Sequence, residues 1–333
     1  MAERGCRLPA APRVRGKPVA GDGGVRYLTV AADEPPQRID NFLMRELKGL
    51  PRSRIYRMLR KGEVRVNGGR VKPTHRLGPG DEVRIPPVRM AGQGPSSGPV
   101  PVGQGVLDAL EHAILFEDED LLVLDKPSGM AVHGGSGLGY GVIEALRRLR
   151  PEDSLELAHR LDRDTSGCLL VAKRRAALLA LHQALRDRSV GKVYAVVVHG
   201  AWPRRTRTVQ LPLTRYLTAE GERRVRVAAD GKPSRTDFEI REAAPGASLL
   251  TARLHTGRTH QIRVHAAASG HPVVGDEKYG PRDQLARARD AGVHRLCLHA
   301  ESITLVLDGR RHRFEAPLPE ALTAAYDRLA AGS

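Results

Sequence analysis

Cysteine is scarce in this chain of 333 residues, and the three present, Cys6, Cys168 and Cys297, are far apart with no C-x-x-C pair. That excludes a disulfide scaffold and a zinc ribbon, and it fits a reducing cytoplasm better than an oxidised secreted fold. Long apolar runs are also missing: no stretch of 18 apolar residues occurs, and the opening MAERGCRLPAAPRVRGKPVAGDGG has no hydrophobic segment behind its charges. A membrane-spanning or exported protein is not expected. The third deficit is acidic. Asp and Glu number 38 against 54 Lys and Arg, a formal charge of +16, so the surface attracts polyanions, with nucleic acid the first partner to consider and an anionic membrane the weaker one.

Composition divides the chain. Residues 1–24, rich in Arg, Gly, Pro and Ala without periodicity, read as a disordered basic tail. A second unpatterned stretch, MAGQGPSSGPVPVGQG, reads as a linker over residues 89–106, leaving a small domain at 25–88 and a larger one at 107–333. From Gln37 to Pro87 there are thirteen basic residues against five acidic ones, half of the net charge. In that segment Ile39, Phe42, Leu43 and Leu47, then Ile55, Met58 and Leu59, follow helical spacing. The polar face of the second helix carries Arg52, Arg54, Arg57, Arg60 and Lys61. Asn67-Gly68 signals a tight hairpin, and Glu82 to Ile85 a closing strand. Two helices and a small sheet, basic on one side, predict an RNA-binding module.

The larger region mixes periods. A hairpin is predicted over 114–124, helices around Val142–Leu149, Leu178–Leu185 and Ala321–Leu329, and strands at Val193–Val198, Val225–Ala228, Asp237–Ile240, Leu249–Leu254 and Ile303–Leu307. Consecutive strands joined by short turns predict an α+β domain with an antiparallel or mixed sheet.

Two polar clusters stand out. His159-Arg160-Leu161-Asp162-Arg163-Asp164-Thr165-Ser166-Gly167 runs into the apolar Cys168–Ala172, where a turn before a buried strand can present a rigid side chain. The second, from Leu254 to His265, holds three His and two Arg in twelve positions. Residues five apart on a helix differ by about 140°, so His255, His260 and His265 could not share a face, and no metal site is expected. Thr165-Ser166-Gly167 lacks the nucleophile elbow of a serine hydrolase, and Lys126-Pro127-Ser128-Gly129 lacks the glycines of a phosphate loop.

These motifs resemble those of the pseudouridine synthases of the ribosomal large subunit family: H-R-L-D-x-x-T-S-G at His159–Gly167, K-x-Y at Lys192–Tyr194, and T-G-R-T-H-Q-I-R-V-H at Thr256–His265. The small domain resembles the S4 RNA-binding domain, and the likeness extends from about Arg38 to Leu322. Asp125 departs from it mildly, standing where relatives more often have Asn. The resemblance implies a pseudouridine synthase catalytic domain behind an S4-like domain, with Asp162 as nucleophile of a cofactor-free isomerisation of uridine. It further implies that Arg263 offsets the buried charge of Asp162 by an ion pair, and that Tyr194 lies against the uracil, its hydroxyl a candidate to take the C5 proton. The target base must be flipped out of the RNA. Arg160 then either fills the vacated space or contacts phosphate, and His159 binds RNA or holds the loop. Arg258, His260 and Gln261 bind backbone phosphate or shape the pocket. The implied partner is 23S rRNA or a large-subunit assembly precursor, bound by a cytoplasmic monomer. Two other readings compete: an S4-type RNA-binding protein without catalysis, and a carboxylate glycosidase, which would need a second carboxylate across the sugar, where only Asp164 is near.

Overall fold

The computed structural model describes residues 25–31, 36–47, 50, 52–88, 102–134, 139–203, 208–219, 221–307 and 309–332. The tail at 1–24 and the linker up to residue 101 lie outside them. The chain forms two units, divided between Gly98 and Pro99.

In the first unit, helices Ile39–Glu46 and Arg52–Lys61 bury Ile39, Phe42 and Leu43, and Ile55, Met58 and Leu59, against Val64, Val66, Leu77, Val83 and Ile85. The apolar spacing of both helices is thus what closes this small core. The hairpin turn is formed by Asn67 and Gly68 at φ of 49° and 76°, the paired left-handed conformation that suits the twist of the flanking strands Arg65–Val66 and Gly69–Arg70. Glu82–Ile85 lies between Arg65–Val66 and Arg26–Thr29. Buried Asp40 accepts bonds from Arg38 and from the Tyr56 hydroxyl, both at 2.7 Å, and so ties the two helices together.

The second unit is built on a sheet of ten strands among the described residues. Its path runs Thr208–Gln210, Arg235–Ala243, Ala247–Leu254, Gly191–His199, Leu298–Leu307, Ser166–Ala172, Leu121–Lys126, Ile114–Glu117, with Arg310–Glu315 and Glu156–Leu157 paired at its sides. The pairs are antiparallel except Ser166–Ala172 with Leu298–Leu307, which run parallel, so the sheet is mixed. The two-residue period sorts side chains to opposite faces. Leu122, Leu124, Leu169 and Val171 pack with helix Val142–Leu149, while Leu121, Val123, Cys168 and Leu170 pack with Leu181 of helix Arg175–Arg186. Helix Glu320–Ala331 covers Ala195, Val197 and Leu249.

Several features differ from the sequence expectation. Helix Gln104–His112 starts inside the stretch assigned to the linker, and Val102 already joins the core of the second unit. Helices Gln261–Ala268 and Arg282–Asp290, and strands Leu213–Leu217 and Arg310–Glu315, were not anticipated. No helix among the described residues is long and apolar enough to cross a membrane, and none of their His, Cys, Asp or Glu clusters could hold a metal ion. Cys168 and Cys297 are buried free thiols, pushed up to about 12 by burial, while Cys6 lies outside the described residues.

Gly167, at the parallel register, has φ of 106°, and a Cβ there would lie 2.3 Å from the Ala300 carbonyl oxygen. Gly167→Ala should therefore destabilise the second unit by at least ~2 kcal/mol, read as a drop of several degrees in its thermal midpoint.

Candidate active site

The loop from His159 to Thr165 is fixed from beneath. Lys126 is fully buried at the end of an apolar strand, and its ammonium donates to the carbonyls of Pro127 and Met130 at 2.7 Å and of Arg163 at 2.9 Å. Burial pushes this lysine down to about 7, against the pull of the Asp164 and Asp162 carboxylates. The Ser128 hydroxyl donates to the Asp164 carbonyl at 2.7 Å, and the Thr165 N–H closes a turn onto the Asp162 carbonyl at 3.2 Å. His159 Nε2 accepts the Leu170 N–H at 3.1 Å, and burial pushes the imidazole down to about 3, so the ring stays neutral and holds the loop to the strand that follows it. Lys126 is the residue that sequence reasoning missed. A lone cation closing the run Leu121–Leu124 was the available signal.

Asp162 faces a cavity of about 280 Å³ with Tyr194, His260 and Arg263 in its wall and Arg160 and Arg258 at its edges. Tyr194 comes from the strand Gly191–His199 and is nearly buried; burial, with the Asp162 charge, raises its pKa, so the phenol is neutral. The expected ion pair between Arg263 and Asp162 is not the one formed. Arg263 instead donates to both carboxylate oxygens of Asp276, at 2.7 and 2.6 Å, with both side chains buried. Burial works against the Arg263 charge, but the Asp276 bonds overcome it and raise the pKa, with Asp162 contributing. Asp276 is held in place by the N–H groups of Lys278 and Tyr279, at 2.9 and 3.1 Å, so it outcompetes Asp162 as the partner.

Among the described residues, the basic side-chain atom within 4.0 Å of the Asp162 carboxylate is His260 Nε2, at 3.8 Å from Oδ2. His260 caps helix Gln261–Ala268 in the left-handed conformation, φ 53°, an uncommon state for a non-glycine residue and one that recurs at functional sites. Its Nδ1 lies 2.7 Å from the Tyr279 hydroxyl, which itself accepts the Val225 N–H at 3.0 Å. The hydroxyl proton is therefore directed at Nδ1, leaving the imidazole proton on Nε2, toward Asp162. Burial lowers the His260 pKa, so this neutral form prevails.

Gln261 is buried and fully bonded: its oxygen accepts from Thr256 and the Arg258 N–H, and its nitrogen donates to the Arg235 carbonyl and to Thr236. It shapes the turn that carries Arg258 and His260. Arg258 is half-buried, bonded to the Pro233 carbonyl at 3.3 Å, and Arg160 is exposed. In the first unit Arg57, Arg60 and Lys61 are exposed and Arg54 half-buried on helix Arg52–Lys61; the side chain of Arg52 lies outside the described residues. Asp164 pairs with Arg163 at 2.9 Å and does not line the cavity, so Asp162 is its one carboxylate among the described residues and the two-carboxylate requirement of a glycosidase is not met.

A family model described as RNA pseudouridylate synthase matches residues 120–268, and an S4 domain model matches residues 37–83. Proteins named ribosomal large subunit pseudouridine synthase C are 52% identical over 90% of this chain in Yersinia pestis and 51% over 92% in Escherichia coli K12, covering 93% and 97% of those proteins. The chain belongs to the RNA pseudouridylate synthase family. A solved structure, human RNA pseudouridylate synthase domain containing 1, is 28% identical, with a TM-score of 0.56, over 68% of this chain and 91% of that one. This pseudouridine synthase is thus an enzyme with an N-terminal S4 domain, and the reading as a binding protein without catalysis is set aside.

Asp276→Ala strands the Arg263 charge and should cost about 3–5 kcal/mol in urea unfolding, whereas Arg263→Met with Asp276→Leu should recover much of that loss. Unfolded His159 titrates near 6.5 and folded His159 near 3, so the unfolded chain binds the extra proton between these values. Stability should fall as pH drops from 6.5 toward 3, and His159→Gln should flatten that fall in unfolding curves at pH 7 and 5.

Proposed function

We propose that this enzyme isomerises uridine to pseudouridine in 23S rRNA, free or in a large-subunit precursor, in the cytoplasm, with Asp162 beginning the reaction. The supporting observation is a single carboxylate in a cavity sized for one nucleoside, against a neutral tyrosine and with the exposed Arg160 at its edge. The names of the relatives supply the RNA class. In the reaction the C1′–N1 bond breaks, the uracil turns, C5 bonds to C1′, the C5 proton leaves and N1 gains one in its place. No electrons are gained or lost overall, so no redox cofactor is called for. The target base leaves its stack at a cost of a few kcal/mol, and Arg160 fills the gap. An ionised Asp162 can act at C1′, at C6 or as a base on the sugar, and all three routes use the same carboxylate.

Tyr194 packs against the uracil. A phenol that burial holds neutral is a poor acceptor for the C5 proton, so that proton is left to Asp162 once the new C–C bond has formed. The His260 ring, with Nε2 at 3.8 Å, and the Arg263 guanidinium line the same cavity wall as the carboxylate.

Incubating unmodified 23S transcript with the enzyme, then mapping carbodiimide adducts by reverse-transcription stops, should give stops that vanish with Asp162→Asn. Binding of the transcript without stops by wild type would overturn the proposal. Removing residues 1–101, which keeps Val102 and helix Gln104–His112, should weaken RNA binding while turnover at saturating RNA persists; complete loss with the fold intact would contradict this division of labour.

A further inference from the structure

A second groove, of about 1060 Å³, opens beside the Asp162 cavity, between the end of helix Arg175–Arg186 and the strands Gly191–His199 and Ala247–Leu254. Lys192, Leu254, Gly257 and Arg258 line both spaces, so the two adjoin. We propose that this groove holds the phosphodiester backbone of the RNA flanking the target uridine, an inference that rests on the cavity being the uridine site.

Charge is the first support. Among the described residues no carboxylate lines the groove; Arg235 and His255 pair with Asp237 and Arg253 with Glu239, but Arg186, Arg188, Lys192 and Arg258 have no acidic partner within 4.0 Å. The space on the other side of Asp162 is different, with Asp164, Glu222 and Glu277 set among its cations. Lys192 is half-buried, and burial lowers its pKa; a phosphate alongside would reverse that penalty.

Backbone geometry is the second. Arg188 follows the helix in the left-handed conformation, φ 57°, at the position where helices favour glycine. An arginine is a costly choice for ending a helix and a sound one for meeting a phosphate. Connectivity is the third. A nucleoside seated in a 280 Å³ cavity is tethered to a neighbour on each side, the groove adjoins that cavity along four shared residues, and at several times its volume it has room for more than one nucleotide. An acidic protein partner would have no such tie to the cavity.

The test uses the full chain and 23S transcript tritiated at uridine C5, following tritium release. Arg186→Gln with Arg188→Gly should leave kcat unchanged and raise KM roughly tenfold near physiological salt, with the slope of log KM against log salt shallower by about 1.4 for two lost phosphate contacts. The melting temperature should hold or rise, because glycine suits the helix end. Arg174→Gln with Arg175→Gln removes the same charge from the opposite end of that helix and should leave KM unchanged. Unaltered KM and slope in the first variant, or an equal change in the second, would overturn the groove assignment while leaving the uridine reading intact. If the groove variant melts early, Arg186→Gln alone should show half the slope change. Absence of turnover by wild type on any rRNA would overturn the uridine reading and this inference with it.

Discussion

The buried ammonium of Lys126 is the constraint on which the active loop depends. Taking that charge out of water is expensive, and three backbone carbonyls, one of them from Arg163 next to Asp162, compensate by taking one proton each. The loop cannot drift from the strand without stranding the charge, so Asp162 is held by an interaction it does not itself make. The two carboxylates of the loop return the favour by keeping the lysine protonated more readily than burial alone would allow.

A second ionic arrangement explains why Asp162 is free to react. Had Arg263 formed its bidentate pair with Asp162, the carboxylate would be both neutralised and pinned. Pairing with Asp276 directs the strong bonds elsewhere and leaves Asp162 a longer-range field and the polarised Nε2–H of His260. Tyr279 links the two sets. Its ring lies 5.2 Å from the Arg263 guanidinium, and its hydroxyl orients His260.

Much of this was legible in the sequence because the relevant patterns were local. The helices of the S4 domain, the hairpin at Asn67-Gly68 and most strands of the central sheet announce themselves by period and turn chemistry. Helix Gln261–Ala268 did not, because Gln261, Arg263 and His265 are buried polar residues that break the apolar stripe. Strand Arg310–Glu315 was hidden in the same way, since only Phe314 of its six residues is buried. The partner of Arg263 was illegible for another reason: Asp276 is brought back by a turn through Gly275, whose φ of 76° and close approach to the Arg295 carbonyl belong to tertiary structure. The family resemblance implied Asp162, Tyr194 and Arg263 as neighbours, and they do line one cavity, but a motif says nothing about which charges pair.

The parallel register between Ser166–Ala172 and Leu298–Leu307 bears on the order in which the protein becomes active during synthesis. The strand that follows the Asp162 loop gains one of its two long neighbours early, from Leu121–Lys126, but the other is among the last segments of the chain to be made. Contacts of such sequence separation form late. The S4 domain, complete within the first hundred residues, can fold while the rest is still being translated. The S4 domain of a nascent chain can therefore be folded well before the sheet that holds the Asp162 loop is complete, the interval being set by the length of chain from residue 83 to Leu298–Leu307.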